Sequence, residues 1–406
     1  MGRLNRYILK NAAISIGGLV VFACCVLLLE RLLRIFEIVT NSTKPGADAS
    51  QMIVNLLPYY LGMAVPIALL LGTIITIDKL SKSSELTAAL GAGVSLFHMT
   101  KPFILLAVFL SGLTMFVEGY FQPVGRYKYR QTFDQVKQQS FTAALREGTF
   151  TKVGPRTFFA GTDGKQGDIG PIFIYEILED RDNADVAEGA EEYRITTAGI
   201  GKIDVIEGSP VLHLEKGQAF PIIDDKLSGQ VSTDSFAILS PATLEKYRAR
   251  GEDEREMTSL ELFANRNGTN KAGVDQNTNN AMLHLRLSKA ALLLLLPFIA
   301  VPFGLNYGRN PSSAGIFVGV VFLVSLQKAL EFAQSLGAAG KIPPWLGIWG
   351  IIAAVAIFAF ILFWKSAYKM GQPPLTSFSH WMGHIQGEIV TGFQNLFGRK
   401  HTKRDV

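Results

Sequence analysis

Charge is scarce in this sequence. Acidic and basic residues together make up 18% of 406 positions, and apolar residues 48%, whereas soluble globular chains carry roughly a quarter charged residues. A disordered chain is excluded, because disorder requires low hydrophobicity and high net charge. Cysteine is nearly absent. Cys24 and Cys25 are adjacent in an apolar stretch, where a mutual bridge would be badly strained, so a disulfide scaffold is excluded as well. Motifs for chemistry are also missing. There is no GxxxxGK[ST]; Gly161 to Lys165, followed by Gln166, lacks both its spacing and its hydroxyl, so no ATP hydrolysis is expected from this chain. No HExxH, CxxC or GxSxG occurs. The six histidines are scattered apart from His380 and His384. Four residues apart on one helix face they would suit a metal, but an interfacial pair is the simpler reading. No catalytic residue, metal or cofactor is expected here.

What charge there is lies unevenly. Pro123 to Met282 holds 25 acids against 19 bases, a net of −6, and the rest holds 9 acids against 20 bases, a net of +11. The acidic stretch reads as an ordinary soluble domain and the remainder as membrane. Six segments are apolar enough, at about 20 residues each, to cross a bilayer: Ala12 to Leu33, Ile53 to Ile77, Phe103 to Phe121, Ala290 to Tyr307, Pro311 to Leu336 and Ile342 to Trp364. The first is too long for a signal peptide and no small-x-small site follows it. Pro58, Pro66, Pro297 and Pro302 fall inside spans, which calls for a packed bundle where neighbours satisfy the freed carbonyls.

Lysine and arginine in short flanks set the orientation. Arg3, Arg6 and Lys10, then Lys79, Lys82 and Lys101, then Arg309, and finally the tail bases lie on one side. Both termini are therefore expected in the cytoplasm and the acidic domain outside it. Domains follow as 1–122 (three spans), 123–282 (extracytoplasmic), 283–366 (three spans) and 367–406 (tail). In the soluble part, Thr149 to Val153, Thr157 to Ala160, Ile172 to Leu178, Tyr193 to Thr197, Ile203 to Ile206, Val211 to Glu215, Gln218 to Ile223 and Gln230 to Ala237 read as about eight short strands. They suggest a sandwich, jelly roll or open barrel. Thr258 and Glu261 form a capping-box pattern before a short helix, and Asn265 to Asn280 reads as a polar connector. In the tail, Phe378, Trp381, Met382, Ile385, Ile389, Phe393 and Leu396 recur at helical spacing before a basic end. This pattern fits an amphipathic helix on the inner leaflet.

Some charges resist a purely topological reading. Glu30, Arg31 and Arg34 sit at the outer end of the first span, where Glu30 and Arg34 are placed to pair and Arg31 is left for another partner. Arg126 and Arg130 follow the third span, and Arg286 and Lys289 open the fourth. All run against the positive-inside bias. Together Arg31, Arg34, Arg126, Arg130, Arg286 and Lys289 would ring the outer mouth of the bundle and hold an anionic amphipath, for which the arginine fork suits phosphate. Snorkelling to lipid headgroups is the competing account. Lys328 and Glu331 read as a mutual pair within the bundle. In the loop Asp78 to Lys101, Ser83 or Ser84 would cap a short helix starting at Glu85, with Leu86, Ala89 and Leu90 as its apolar face. Such a helix can dock in a groove of a cytoplasmic partner or rest on lipid.

The sequence at this point resembles the lipopolysaccharide export permeases. The resemblance rests on six spans with a large domain between the third and fourth, and on Leu80-Ser-Lys-Ser-Ser-Glu85-Leu-Thr-Ala-Ala-Leu90-Gly-Ala-Gly93-Val-Ser95. Asn5-Arg6-Tyr7-Ile8 and Leu285-Arg286-Leu287-Ser288-Lys289 add to it. It covers roughly residues 1–370, and the F-type is closer than the paralogous G-type. It implies a non-enzymatic inner-membrane subunit with a periplasmic β-jellyroll domain. The implied partners are the G-type paralogue, a dimeric cytoplasmic ATPase that binds ATP and Mg, a single-span periplasmic adaptor and lipopolysaccharide; nucleic acid is not among them. Cargo would leave the outer leaflet of the inner membrane for a periplasmic bridge. On this likeness Glu85, with Leu86, Ala89 and Leu90, would contact the ATPase, and Arg31 and Arg34 would meet lipid A or inner-core phosphates. The alternatives are a G-type permease, a secondary transporter or a structural membrane protein. Spans two, four and six hold no mid-span charge, which speaks against the secondary transporter.

Overall fold

The structure is a computed structural model, and it describes residues 2–40, 42, 44–144, 148–153, 156–161, 169–178, 192–206, 209–223, 226–239, 250–266, 274–305 and 314–368. The tail pattern, the histidine pair 380/384, Arg309 and residues 267–273 of the polar connector lie outside these residues. The elements in chain order are α1 (Arg3–Val39), α2 (Pro45–Lys82), α3 (Glu85–Gly91), α4 (Leu96–Phe116), a single π-helical turn (Val117–Phe121) and α5 (Gln122–Ala144). Strands β1 (Phe150–Val153), β2 (Arg156–Ala160), β3 (Ile172–Leu178), β4 (Glu192–Ile206), β5 (Ser209–Ile223), β6 (Lys226–Leu227) and β7 (Val231–Leu239) come next. Helices α6 (Ser259–Ala264), α7 (Gln276–Gly304), α8 (Ala314–Ala338) and α9 (Pro344–Tyr368) complete the order. Among the described residues, six helical stretches are long and apolar enough to cross a membrane. The chain divides into two compact units.

The first unit, 1–28, 57–125 and 251–406, contains the helical bundle. Its core is made by Ile8, Leu69, Leu70, Ile74, Phe103, Leu293, Leu296, Ile299, Leu323 and Ile352, all nearly inaccessible. Bilayer tails are as apolar as these side chains, so burial alone does not drive helices together; small residues that let backbones approach and interhelical hydrogen bonds do. Both are present. The Ser111 hydroxyl on α4 donates to the Ala290 carbonyl on α7 at 2.8 Å, and the Trp349 indole on α9 donates to His284 at 3.3 Å. A Cβ on Gly304 would lie 2.8 Å from the Ile74 carbonyl oxygen and 2.8 Å from the Ile77 Cβ. Gly304→Ala must therefore separate α7 from α2, and a cost of about 1–3 kcal/mol is expected, read as a lower unfolding temperature in detergent.

Helix α7 begins earlier than its apolar stretch. Asp275 caps it by accepting from the Asn277 amide at 3.2 Å, and Asn279 is fully buried. Asn277, Asn279 and Asn280 are thus helix rather than connector, because a capping aspartate at the start of a long helix outweighs their weak helical propensity.

The second unit, 29–56 and 126–250, holds the ends of α1 and α2, α5 and the β domain. Ile35, Val39, Ala49, Met52 and Val136 form a small core, with Tyr129 and Phe133 packed against it. The described strands form one antiparallel sheet in the order β1-β2-β3-β4-β5-β6, with β7 also paired to β5. Phe158, Ile172, Ile174, Ala198, Leu212 and Leu214 alternate onto its buried face. Four of the short strands expected from sequence are two long ones. β4 runs through Ala198-Gly-Ile-Gly, and β5 runs through Glu215-Lys-Gly. Their glycines look like turn signals; at Gly201 the missing Cβ serves packing instead, whereas Gly199 has open space around it. A Cβ on Gly201 would stand 2.1 Å from Ile172 Cδ1, and Lys216 absorbs a kink in β5 with φ of 54° while pairing continues on both sides of it.

Candidate functional site

Helix α3 is the first candidate. It starts at Glu85, as the acid at the positive helix end favours. Ser84 adopts left-handed φ of 61° and makes no side-chain cap; the turn comes from Ser84 geometry rather than from a capping hydroxyl. Leu86 is 1% exposed within the bundle core, and Ala89 and Leu90 pack partly against it. These three residues anchor the helix to its own spans. Glu85, Thr87 and Ala88 remain on the exposed side. Nearby, Tyr7 Oη lies 3.5 Å from Glu85 Oε1, and Asn5 Nδ2 lies 3.4 Å from His98 Nε2.

The six basic residues fall into two groups. Arg31, Arg34, Arg126 and Arg130 belong to the second unit. Arg34 pairs with Glu30 at 3.7 Å with both side chains largely exposed, a surface pair that contributes little. Arg31 is half-buried and interacts with the Tyr129 hydroxyl. Arg130 stacks over the Tyr127 ring, 5.7 Å from its centroid. Arg126 is half-buried.

Arg286 and Lys289 belong to the first unit, three residues apart on α7, and both are engaged. Arg286 is buried; its Nη1 donates to the Met257 carbonyl at 2.8 Å and to Ser259 Oγ at 3.4 Å, and its Nη2 to the Arg255 carbonyl at 3.5 Å. It thereby fixes the segment that leads into α6. That helix carries the expected capping box, with Thr258 Oγ1 accepting from the Glu261 amide at 3.3 Å and Glu261 Oε2 accepting from the Thr258 amide at 2.7 Å.

Lys289 Nζ donates to Glu118 Oε1 at 3.1 Å. Glu118 is 2% exposed and sits in the π-helical turn that interrupts the third span. Such turns insert one residue into an α-helix and recur at functional sites. Two glycines make room. A Cβ on Gly62 would come within 2.9 Å of Glu118 Oε1, and one on Gly119 within 3.1 Å of Ser259 Oγ. The sequence placed Glu118 near the end of an apolar span without assigning it a partner; the 171-residue separation from Lys289 hides their pairing from any local pattern. Lys328 and Glu331 pair at 2.8 Å as expected, but with side chains 74% and 54% exposed in this chain rather than inside its bundle.

Six membrane-crossing helices with an antiparallel β domain between the third and fourth, and a short exposed helix between the second and third, define a multi-pass membrane protein of the permease kind. Residues 6–365 match the family model "Lipopolysaccharide export system permease LptF/LptG", and the chain belongs to that family, whose members are transport subunits rather than enzymes. Among relatives, it is 20% identical over 367 residues, 88% of this chain and 93% of the relative, to the lipopolysaccharide export system permease protein LptF of Escherichia coli strain K12. The protein of the same name from Shigella flexneri gives the same identity and coverage.

Proposed function

We propose that this chain is the F-type permease of an ATP-driven exporter in the bacterial inner membrane. Both termini face the cytoplasm and the β domain faces the periplasm, in keeping with the basic flanks. The subunit pairs with a G-type paralogue, a dimeric cytoplasmic ATPase and a single-span adaptor. It takes lipopolysaccharide from the outer leaflet and passes it to a periplasmic β-jellyroll bridge. ATP and Mg belong to the ATPase. The observation that carries this reading is α3: a short helix clamped to its own spans by buried Leu86, presenting Glu85 on its open side, in a chain without a nucleotide motif. Its exposed acid and small residues suit a groove in a partner that supplies the hydrolysis.

Arg31 and Arg34, with Arg126 and Arg130, contact the anionic part of the cargo in this reading. Photocrosslinking residues introduced at positions 31 and 34 are expected to capture lipopolysaccharide, and an ATPase subunit is expected to co-purify in gentle detergent. Capture of phospholipid alone would return the basic residues to headgroup snorkelling. Absence of the ATPase would overturn the exporter reading.

A further inference from the structure

A carboxylate at 2% exposure within membrane spans is costly unless fully satisfied. Glu118 is satisfied on one side only. Oε1 accepts from Lys289, while Oε2 is buried and has no hydrogen-bond partner among the described residues. An orphaned buried acceptor calls for an explanation. Lys289 is the open side of the pair, with its side chain 32% exposed. An ammonium carries three donors, and Glu118 takes one. Arg286, one turn away, is committed to the carbonyls of Met257 and Arg255. Arg286 is only 8% exposed, so Lys289 is the accessible cation of this helix end, and the π-turn with Gly62 is what puts a carboxylate beside it.

We propose that Glu118 is a positioning residue for cargo. It aims the Lys289 ammonium at a phosphate of the anionic lipid and, as a fixed negative charge behind it, keeps the hold weak enough for release. This rests on the exporter reading above and adds to it an internal counter-ion. A phosphate oxygen bonded to Lys289 would stand roughly 5 Å from the carboxylate oxygen, because two charge-assisted bonds diverge at the tetrahedral angle of the ammonium. Like charges at that distance repel appreciably where water is excluded. An exporter needs this balance, because a site that binds too well does not let go.

The test uses the full complex in nanodiscs, loaded with bis-phosphorylated lipopolysaccharide, with its enzymatically dephosphorylated form, or with phosphatidylglycerol, and washed at rising salt. Glu118→Gln is expected to tighten retention of the phosphorylated lipopolysaccharide on the order of tenfold and to slow its ATP-driven release, with no change for the dephosphorylated form. The double variant Glu118→Gln/Lys289→Gln, a neutral pair able to hydrogen-bond, is expected to lose that gain and to retain the phosphorylated form less well than wild type, with the dephosphorylated form unchanged. A purely structural role for Glu118 predicts unchanged or reduced retention in Glu118→Gln, and that result overturns the proposal. So does a gain equal for both lipopolysaccharide forms, or one seen with phosphatidylglycerol alone. Should the single variant fail to assemble, a double variant that assembles and retains cargo like wild type overturns it equally. A wild-type complex that holds no lipopolysaccharide above phosphatidylglycerol sinks the exporter reading instead.

Discussion

Glu85→Lys is expected to reduce ATP-driven release of lipopolysaccharide from proteoliposomes by at least about tenfold while leaving the chain folded. The folded state has little at stake in this side chain. Glu85 is exposed, and among the described residues its side chain meets a 3.5 Å approach from the Tyr7 hydroxyl. Exposed substitutions away from special features usually fall within about 0.5 kcal/mol, with a few tenths more for a cation at the positive helix end. A groove in a partner that receives an acid meets a like charge instead, and truncating or reversing one member of a buried interfacial charge pair costs about 2–5 kcal/mol. Glu85→Gln should lie between. Wild-type release by the lysine variant, with the ATPase bound normally, would remove Glu85 from the coupling route.

Lys289→Met is expected to destabilise the bundle by about 1–3 kcal/mol, because it removes the hydrogen-bonding partner of a buried charge and leaves that charge only the longer-range attraction of Arg286. Glu118 is that charge, at 2% exposure with Nζ of Lys289 as its hydrogen-bonding cation at 3.1 Å. Adding Glu118→Gln to Lys289→Met should recover most of the loss, since a neutral amide is far cheaper to bury than a carboxylate. Thermal unfolding of the four proteins of this double-mutant cycle measures the coupling. A Lys289→Met variant as stable as wild type would show that Glu118 is neutralised without its partner.

These two residues illustrate what the sequence reveals and what it hides. Glu85 was legible because its features are local: an acid opening a short helix, with apolar residues at helical spacing and glycines closing it. The actual first turn differs, with left-handed Ser84 in place of a hydroxyl cap, but the position of the acid is unaffected. Lys289 and Arg286 were legible as basic residues on the wrong side of the charge bias. Their partners were not. Arg286 reaches carbonyls 29 and 31 residues away, and backbone acceptors carry no sequence signature. Lys289 reaches Glu118 across 171 residues, and only a π-turn lying against a glycine of another span brings them into register.

The β domain divides in the same way. Alternating apolar residues marked where strands lie, because a period of two is written in the side chains. Glycines in the middle of β4 and β5 were misleading, because the same absence of a Cβ serves a turn or a close contact, and only the Ile172 side chain against Gly201 decides which. By itself, then, the sequence determined six spans, a β domain between the third and fourth, and a protruding acid between the second and third. Each follows from composition or periodicity within a few tens of residues. Only the tertiary structure decided which charges are already spent on this chain and which keep donors for a ligand, because a buried charge is compensated by whatever the fold brings within about 3 Å of it, however far away in the chain that group lies.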